Sequence, residues 1–259
     1  MQGAGKEGCR KGKVYIVGAG PGDPELLTLK AVRIIRSADV IVYDRLAPTD
    51  FIKREAKSDA ELIYAGKAPG RHAMSQDEIN KLLEEKACEG KLVARIHGGD
   101  PFLFGRGEEE CIYLASRGIS CEVVPGITSA IAGPELACIP PTSRLVASSV
   151  AIVPGREAAE RKERRVYYGR IAKTVDTMIV LMGVGRLSEI VNELLEEGLD
   201  PSTPVAIVEN ASLPNQRVVV GRLANIVSKA REANVKPPAV IIVGKVVWLR
   251  DKICPETSR

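Results

Sequence analysis

The sequence predicts an α/β protein built as two lobes. Short runs rich in Val and Ile alternate with stretches of helical periodicity along the chain, the pattern of strands covered by helices. Glycine-rich loops follow two of the early strands, at the edge where open α/β sheets bind ligands. Midway, residues 125–141 are rich in Gly, Pro and Ala with Glu135 as their one charge, which marks a connector between two halves. A chain of 259 residues accommodates two domains at roughly 100–200 residues each.

The first strand covers residues 14–17 and runs into Gly18-Ala19-Gly20-Pro21-Gly22-Asp23-Pro24. A helix over 25–37 follows, with Asp23 placed to cap it and Pro24 in its first turn, where a missing N–H costs nothing. Strands are expected at 40–43, ending at Asp44, and at 62–64. Ser75-Gln76-Asp77-Glu78 has capping-box spacing, and Ile79, Leu82, Leu83 and Ala87 recur at helical intervals toward Gly90. A strand at 92–96 leads into His97-Gly98-Gly99-Asp100-Pro101. The helix starting near Gly107 is expected to bury Cys111, Ile112, Leu114 and Ala115, and a strand at 120–124 stops at Pro125-Gly126.

The second half repeats the alternation, with strands at 150–153, 177–182, 205–208, 217–220 and 239–243 and helices at 188–197 and 223–233. The charge-dense stretch 156–170 reads as a solvated helix or loop. The resulting division is a flexible extension at 1–12, a first lobe at 13–124, a connector at 125–144, a second lobe at 145–249 and a tail at 250–259.

Composition narrows the function. The apolar share is 45% and the charged share 27%, enough to bury a core. Lys and Arg number 37 against 33 Asp and Glu, a net charge of +4, which favours an anionic small molecule without the dense basic block of a nucleic-acid binder. Aromatics at 4% disfavour a base-stacking surface. The six cysteines, Cys9, Cys88, Cys111, Cys121, Cys138 and Cys254, show no CxxC and read as reduced, buried thiols, hence a cytoplasmic protein. No signal peptide or apolar run of about 18 residues is visible, so no membrane role is expected.

Two loops carry the chemistry. Gly18 to Asp23 reads G-x-G-x-G-D, with Asp23 where a dinucleotide fingerprint places its third glycine. Asp44 stands near the place of a ribose-binding acid, so an NAD-dependent dehydrogenase and a plain tight turn both stay open on these residues alone. Gly98-Gly99-Asp100-Pro101 is a second glycine turn, and its missing Cβ atoms let a ligand approach the backbone. His72 and His97, the only histidines, have no ligand-spaced partners, so no metal site is expected. Neither a P-loop nor a nucleophile motif occurs.

Taken together, the motifs resemble those of the tetrapyrrole methylases. The resemblance runs through Val17-Gly18-Ala19-Gly20-Pro21-Gly22-Asp23-Pro24-Glu25-Leu26-Leu27-Thr28-Leu29-Lys30-Ala31, Val42-Tyr43-Asp44-Arg45-Leu46, Gly98 to Gly107, Val124 to Ala130, Ile139-Pro140, Thr142 with Arg144, and Val208-Glu209-Asn210-Ala211-Ser212. It spans about residues 13–249. It implies two α/β lobes with an active-site cleft between them, S-adenosylmethionine as methyl donor with S-adenosylhomocysteine as product, an anionic tetrapyrrole as acceptor, and a homodimer.

The same resemblance assigns cofactor contacts to Pro21, Gly98, Gly99, Asp100, Leu103, Thr128, Ser129, Met182 and Ala211. It makes Asp44 the base and Lys67 the acid, and gives substrate contacts to Arg106, Glu109 and Arg144. Without it, Met182 reads as core, Thr128-Ser129 as a helix cap, Asp44 as a strand-end cap and Lys67 as a surface lysine. The chemistry suits these residue types: a pyrrole carbon attacks a sulfonium methyl in line, the ring then loses a proton, and guanidinium groups hold carboxylates. The chain departs from the family pattern at His97, Glu108, Pro141, Ser143 and Leu181. A methylase for a later corrin precursor and a non-catalytic binder on the same fold remain as alternatives, the Asp44, Lys67, Arg106 and Arg144 set speaking against the binder.

Overall fold

Near-continuous runs of Val and Ile build strands that are buried on both faces, as parallel sheets require. A computed structural model describes residues 12–66, 73–157 and 163–255. Lys67 and the extension up to residue 11 lie outside the described residues. The chain divides into two units, Met1–Thr128 and Ser129–Arg259.

In the first unit, β1 (Lys13–Gly18), β2 (Val40–Tyr43), β3 (Glu61–Tyr64), β4 (Leu92–His97) and β5 (Ser120–Val124) form one parallel sheet in the order β3-β2-β4-β1-β5. The helices are α1 (Leu29–Ser37), α2 (Thr49–Glu55), α3 (Gln76–Cys88) and α4 (Gly107–Ala115). The period of two along each strand sorts the core into two faces. Val17, Ile41, Tyr43, Ala94 and Ile96 pack with Ile34, Ile35 and Ile52 of α1 and α2. Val14, Ile16, Val40, Val42 and Val93 pack with Ile79, Leu83 and Leu114 of α3 and α4. Each fully buried aliphatic side chain contributes roughly 1.5–3 kcal/mol.

The second unit holds α5 (Ser129–Leu136), β6 (Val150–Pro154), α6 (Tyr168–Ala172), β7 (Thr177–Leu181), α7 (Leu187–Glu196), β8 (Pro204–Glu209), β9 (Arg217–Arg222), α8 (Ile226–Glu232), β10 (Ala239–Gly244) and α9 (Arg250–Ile253). Its sheet runs β6-β7-β10-β8-β9. The β6–β7 pair is parallel and the other neighbours are antiparallel. Leu187, Ile190, Val191 and Leu194 of α7 close a core with Met178, Val180, Val205, Ile207 and Ile241 of the sheet.

Three expectations change. The helix expected from residue 25 starts at Leu29. Asp23 instead caps a separate 3-10 turn, Pro24–Leu26, and Thr28 caps α1 by accepting a bond from the Ala31 N–H at 3.1 Å. On α4 the buried residues are Gly107, Glu110 and Leu114. Leu114 is buried as expected, but Ile112 is 69% exposed and Ala115 is exposed, because the face of the helix that carries Glu110 and Leu114 is the one turned against the sheet. The described cysteines are not reduced: Cys111 pairs with Cys121 and Cys138 with Cys254, and Cys88 is also disulfide-bonded. Spacing hid this because each Cα separation, 5.6 and 6.0 Å, is created by packing. The thiol argument for a reducing compartment falls with it. Among the described residues no helix is long and apolar enough to cross a membrane.

Candidate active site

Three loops meet at the carboxyl ends of β1, β4 and β5. Gly20 and Gly99 exchange both backbone hydrogen bonds, at 3.2 and 2.7 Å, and the Ala19 N–H donates to the His97 carbonyl at 2.8 Å. Asp100 ties in the third loop: its Oδ2 accepts from the Gly126 N–H at 3.1 Å, and its Oδ1 from the N–H groups of Phe102 and Leu103 at 2.9 and 3.2 Å. The junction needs glycine. A Cβ on Gly126 would stand 2.2 Å from the Gly99 carbonyl oxygen, and one on Gly18 2.5 Å from the Gly126 nitrogen. The loop after β2 joins the group, since a Cβ on Gly98 would meet the Leu46 Cβ at 2.5 Å.

The structure therefore brings Gly98, Gly99 and Asp100 together with the loop that carries Pro21, which sits half-buried between Gly20 and Gly22. Leu103 is half-buried in the same turn, and Thr128 ends the loop that Pro125 begins. Around these loops Leu46, Phe102 and Phe104 hold their side chains 49%, 51% and 41% exposed.

Asp44 follows β2 directly. Its Oδ1 accepts from the Leu46 N–H at 3.0 Å, closing an Asx turn, while its Oδ2 lies 3.5 Å from Arg95 Nη2. Arg95 and His97 point to one face of β4, and both reach Glu110 of α4: Arg95 Nε at 3.2 Å and His97 Nε2 at 2.8 Å. Gln76 Nε2 adds a third contact to Glu110 at 3.2 Å. Burial pushes the Glu110 carboxyl up, but the His97 hydrogen bond and the charges of His97 and Arg95 outweigh it, leaving it below the usual carboxylate range. Sequence reasoning passed over Arg95 and Glu110. Two polar residues at alternate positions of a buried strand were the available signal, because charges inside a doubly covered sheet require partners.

Arg106 stands at the start of α4 with a left-handed φ of 64°. Its guanidinium grips Glu109 through Nε at 2.9 Å and Nη2 at 2.8 Å, and this hydrogen bond holds the Glu109 carboxyl below its ordinary range. In the second unit, Met182 follows β7 with φ at 57° and 56% exposure, so it is no core methionine. Ala211 follows β8 and is buried, between Asn210 and Ser212, both of positive φ. Ser129 opens α5. Arg144 is exposed within a tight turn in which Ser143 and Ala147 exchange backbone bonds at 2.7 and 2.8 Å. Among the described residues no cluster of His, Cys, Asp or Glu is arranged to hold a metal ion.

Known proteins share this arrangement and sequence. The profile of the Tetrapyrrole (Corrin/Porphyrin) Methylases matches residues 13–227. A uroporphyrinogen-III C-methyltransferase of Methanocaldococcus jannaschii is 52% identical over 241 residues, covering 93% of this chain and 98% of the relative. An S-adenosyl-L-methionine-dependent uroporphyrinogen III methyltransferase of Methanosarcina barkeri is 51% identical over 240 residues, with 93% and 94% covered. The crystal structure of uroporphyrin-III C-methyl transferase from Thermus thermophilus complexed with S-adenyl homocysteine superposes with a TM-score of 0.76 at 41% identity, covering 91% of this chain and 93% of that one. The chain belongs to the tetrapyrrole methylase family.

Proposed function

We propose that the chain is a uroporphyrinogen-III C-methyltransferase. It methylates uroporphyrinogen III at C2 and C7, through precorrin-1, to give precorrin-2 for sirohaem and cobalamin synthesis. The observation that carries the reading is the glycine junction of the β1, β4 and β5 loops, in a chain about half identical to relatives of that name along nearly its whole length. A homodimer accompanies it.

S-adenosylmethionine, when bound, supplies an electrophilic methyl. Within the first unit the residues present suit such a ligand, with Cβ-free loops at strand ends and half-buried Leu103; within the second, small Ala211 and the outward Met182 are the contacts assigned to it. Both Asp100 oxygens are engaged by backbone N–H groups, so its side chain serves the cofactor by holding the loops. Pro21, Gly98, Gly99, Thr128 and Ser129 complete the contacts.

The exposed Leu46, Phe102 and Phe104 suit the apolar face of a macrocycle, and Arg106, braced by Glu109, and Arg144 hold its carboxylates. The protein aligns the reactants and keeps water out. The methylated carbon is quaternary and has no hydrogen to lose, so Asp44 then accepts a proton that another carbon of the macrocycle releases to discharge the cation, and Lys67 serves as acid.

The test is incubation with labelled S-adenosylmethionine and uroporphyrinogen III. A dimethylated product is expected. Absence of label transfer to uroporphyrinogen III, with transfer to a later precorrin, overturns the substrate and keeps the methyl donor.

A further inference from the structure

The Asp44 carboxylate is held at both oxygens, by the Leu46 N–H at 3.0 Å and by Arg95 Nη2 at 3.5 Å. The first contact comes from its own loop. The second comes from the neighbouring strand, where Arg95 stands in register with Val42, two residues before Asp44. The guanidinium cannot swing: it is 5% exposed, its Nη1 donates to the Ile96 carbonyl at 3.1 Å, and its Nε donates to Glu110 at 3.2 Å. Glu110 is fixed in turn, fully buried, with His97 Nε2 at 2.8 Å and Gln76 Nε2 at 3.2 Å. A buried cation is thus shared between a carboxylate deep under α4 and a carboxylate at the strand end that remains 31% exposed.

We propose that Arg95 is a positioning residue for Asp44, anchored through Glu110, His97 and Gln76, and that this chain aims the Asp44 carboxylate at the carbon that loses its proton. The role rests on the reading of Asp44 as the proton acceptor. Two fixed oxygens leave the outward lone pairs of Asp44 in one orientation, and misplacing a reacting group by about 1 Å costs on the order of a hundredfold in rate. A guanidinium suits the task because its planar fork serves two carboxylates at once, which an ammonium point charge does not. A purely structural Arg95–Glu110 pair predicts lost stability and nothing specific to Asp44.

The experiment is a double-mutant cycle on kcat with Arg95→Met and Asp44→Asn in the full chain, using S-adenosylmethionine and uroporphyrinogen III, with methyl-donor affinity followed by calorimetry. Arg95→Met is expected to lower kcat about 10- to 100-fold and to leave the methyl-donor Kd within about twofold. In the Asp44→Asn background the same change should cost less than about threefold. If Arg95→Met is recovered unfolded, Arg95→Lys replaces it in the cycle, since it keeps the buried charge but not the fork. Additive losses, an unchanged kcat for Arg95→Met, or full activity of Asp44→Asn overturns the inference while the active wild-type chain upholds the proposed function. An inactive wild-type chain overturns both.

Discussion

Glu110 Oε2 lies 2.8 Å from His97 Nε2, with both side chains buried between α4 and β4. An ionised carboxylate only accepts, so the ring nitrogen facing it carries the proton. With Arg95 and Gln76 on the other oxygen, Glu110 is the centre of the polar core in the first unit. Removing it leaves Arg95 buried without its main counter-charge, so Glu110→Ala should cost about 3–5 kcal/mol in denaturant unfolding. Glu110→Gln, which keeps an acceptor, should cost about 1–3 kcal/mol.

The pH dependence of that difference has a definite sign. The folded-state value of Glu110 lies below its ordinary 4.5, so the unfolded chain takes up the proton first. Its stabilising contribution is complete above about pH 4.5 and is lost as pH falls through the lower folded value. The stability gap between wild type and Glu110→Gln should therefore be flat near neutrality and shrink below that point. A gap that widens on acidification contradicts the assignment.

The loop junction makes a sharper demand on glycine than on any side chain. Gly126→Ala must push the β4 and β5 loops apart and should lose at least roughly 1–3 kcal/mol, together with S-adenosylmethionine binding in calorimetry. Gly185→Ala, with nothing within 4 Å of the new methyl, should leave stability within about 0.5 kcal/mol.

Asp100 separates the two ligands. Asp100→Ala frees the N–H groups of Phe102, Leu103 and Gly126, so S-adenosylmethionine affinity should fall about tenfold or more. Tetrapyrrole affinity should change less, and equal losses for both ligands count against the assignment.

Arg144 gives the complementary case. Among the described residues it makes no ion pair, and its turn is closed by backbone bonds that the side chain does not share. Arg144→Ala should reduce affinity for uroporphyrinogen III about 10- to 100-fold without moving the melting temperature, and Arg144→Lys should fall between. Wild-type turnover in both variants assigns the carboxylate contacts elsewhere.

The Cys138–Cys254 bond ties the chain after α5 to the end of α9 across 116 residues. Cys254→Ser should lower stability by about 2–4 kcal/mol in oxidising buffer, and the difference should vanish when a reductant opens the bond in both proteins. Thiol titration of the native protein should find none of Cys88, Cys111, Cys121, Cys138 or Cys254 reactive.

All ten strands among the described residues were readable from the chain, because buried strands need local runs of Val and Ile and the turns between them need Gly, Pro and Asp. The capping box at Ser75 and Glu78 was equally local. The glycine loops were visible as motifs, since close backbone approach demands a missing Cβ wherever it occurs. The buried face of α3 was legible too, through Ile79, Leu83 and Ala87, but the buried face of α4, the cysteine pairs and the charge partners were not. Which side of α4 turns inward depends on what β4 offers it, and β4 offers Arg95 and His97, so Glu110 is buried and Ile112 faces solvent. Cys111 meets Cys121 because α4 folds back along β5, and Arg95 reaches Asp44 because β2 and β4 are neighbours despite the strand between them in the chain. Local sequence carries propensities; a pairing between residues far apart in the chain exists only once the sheet order has brought them within hydrogen-bond reach.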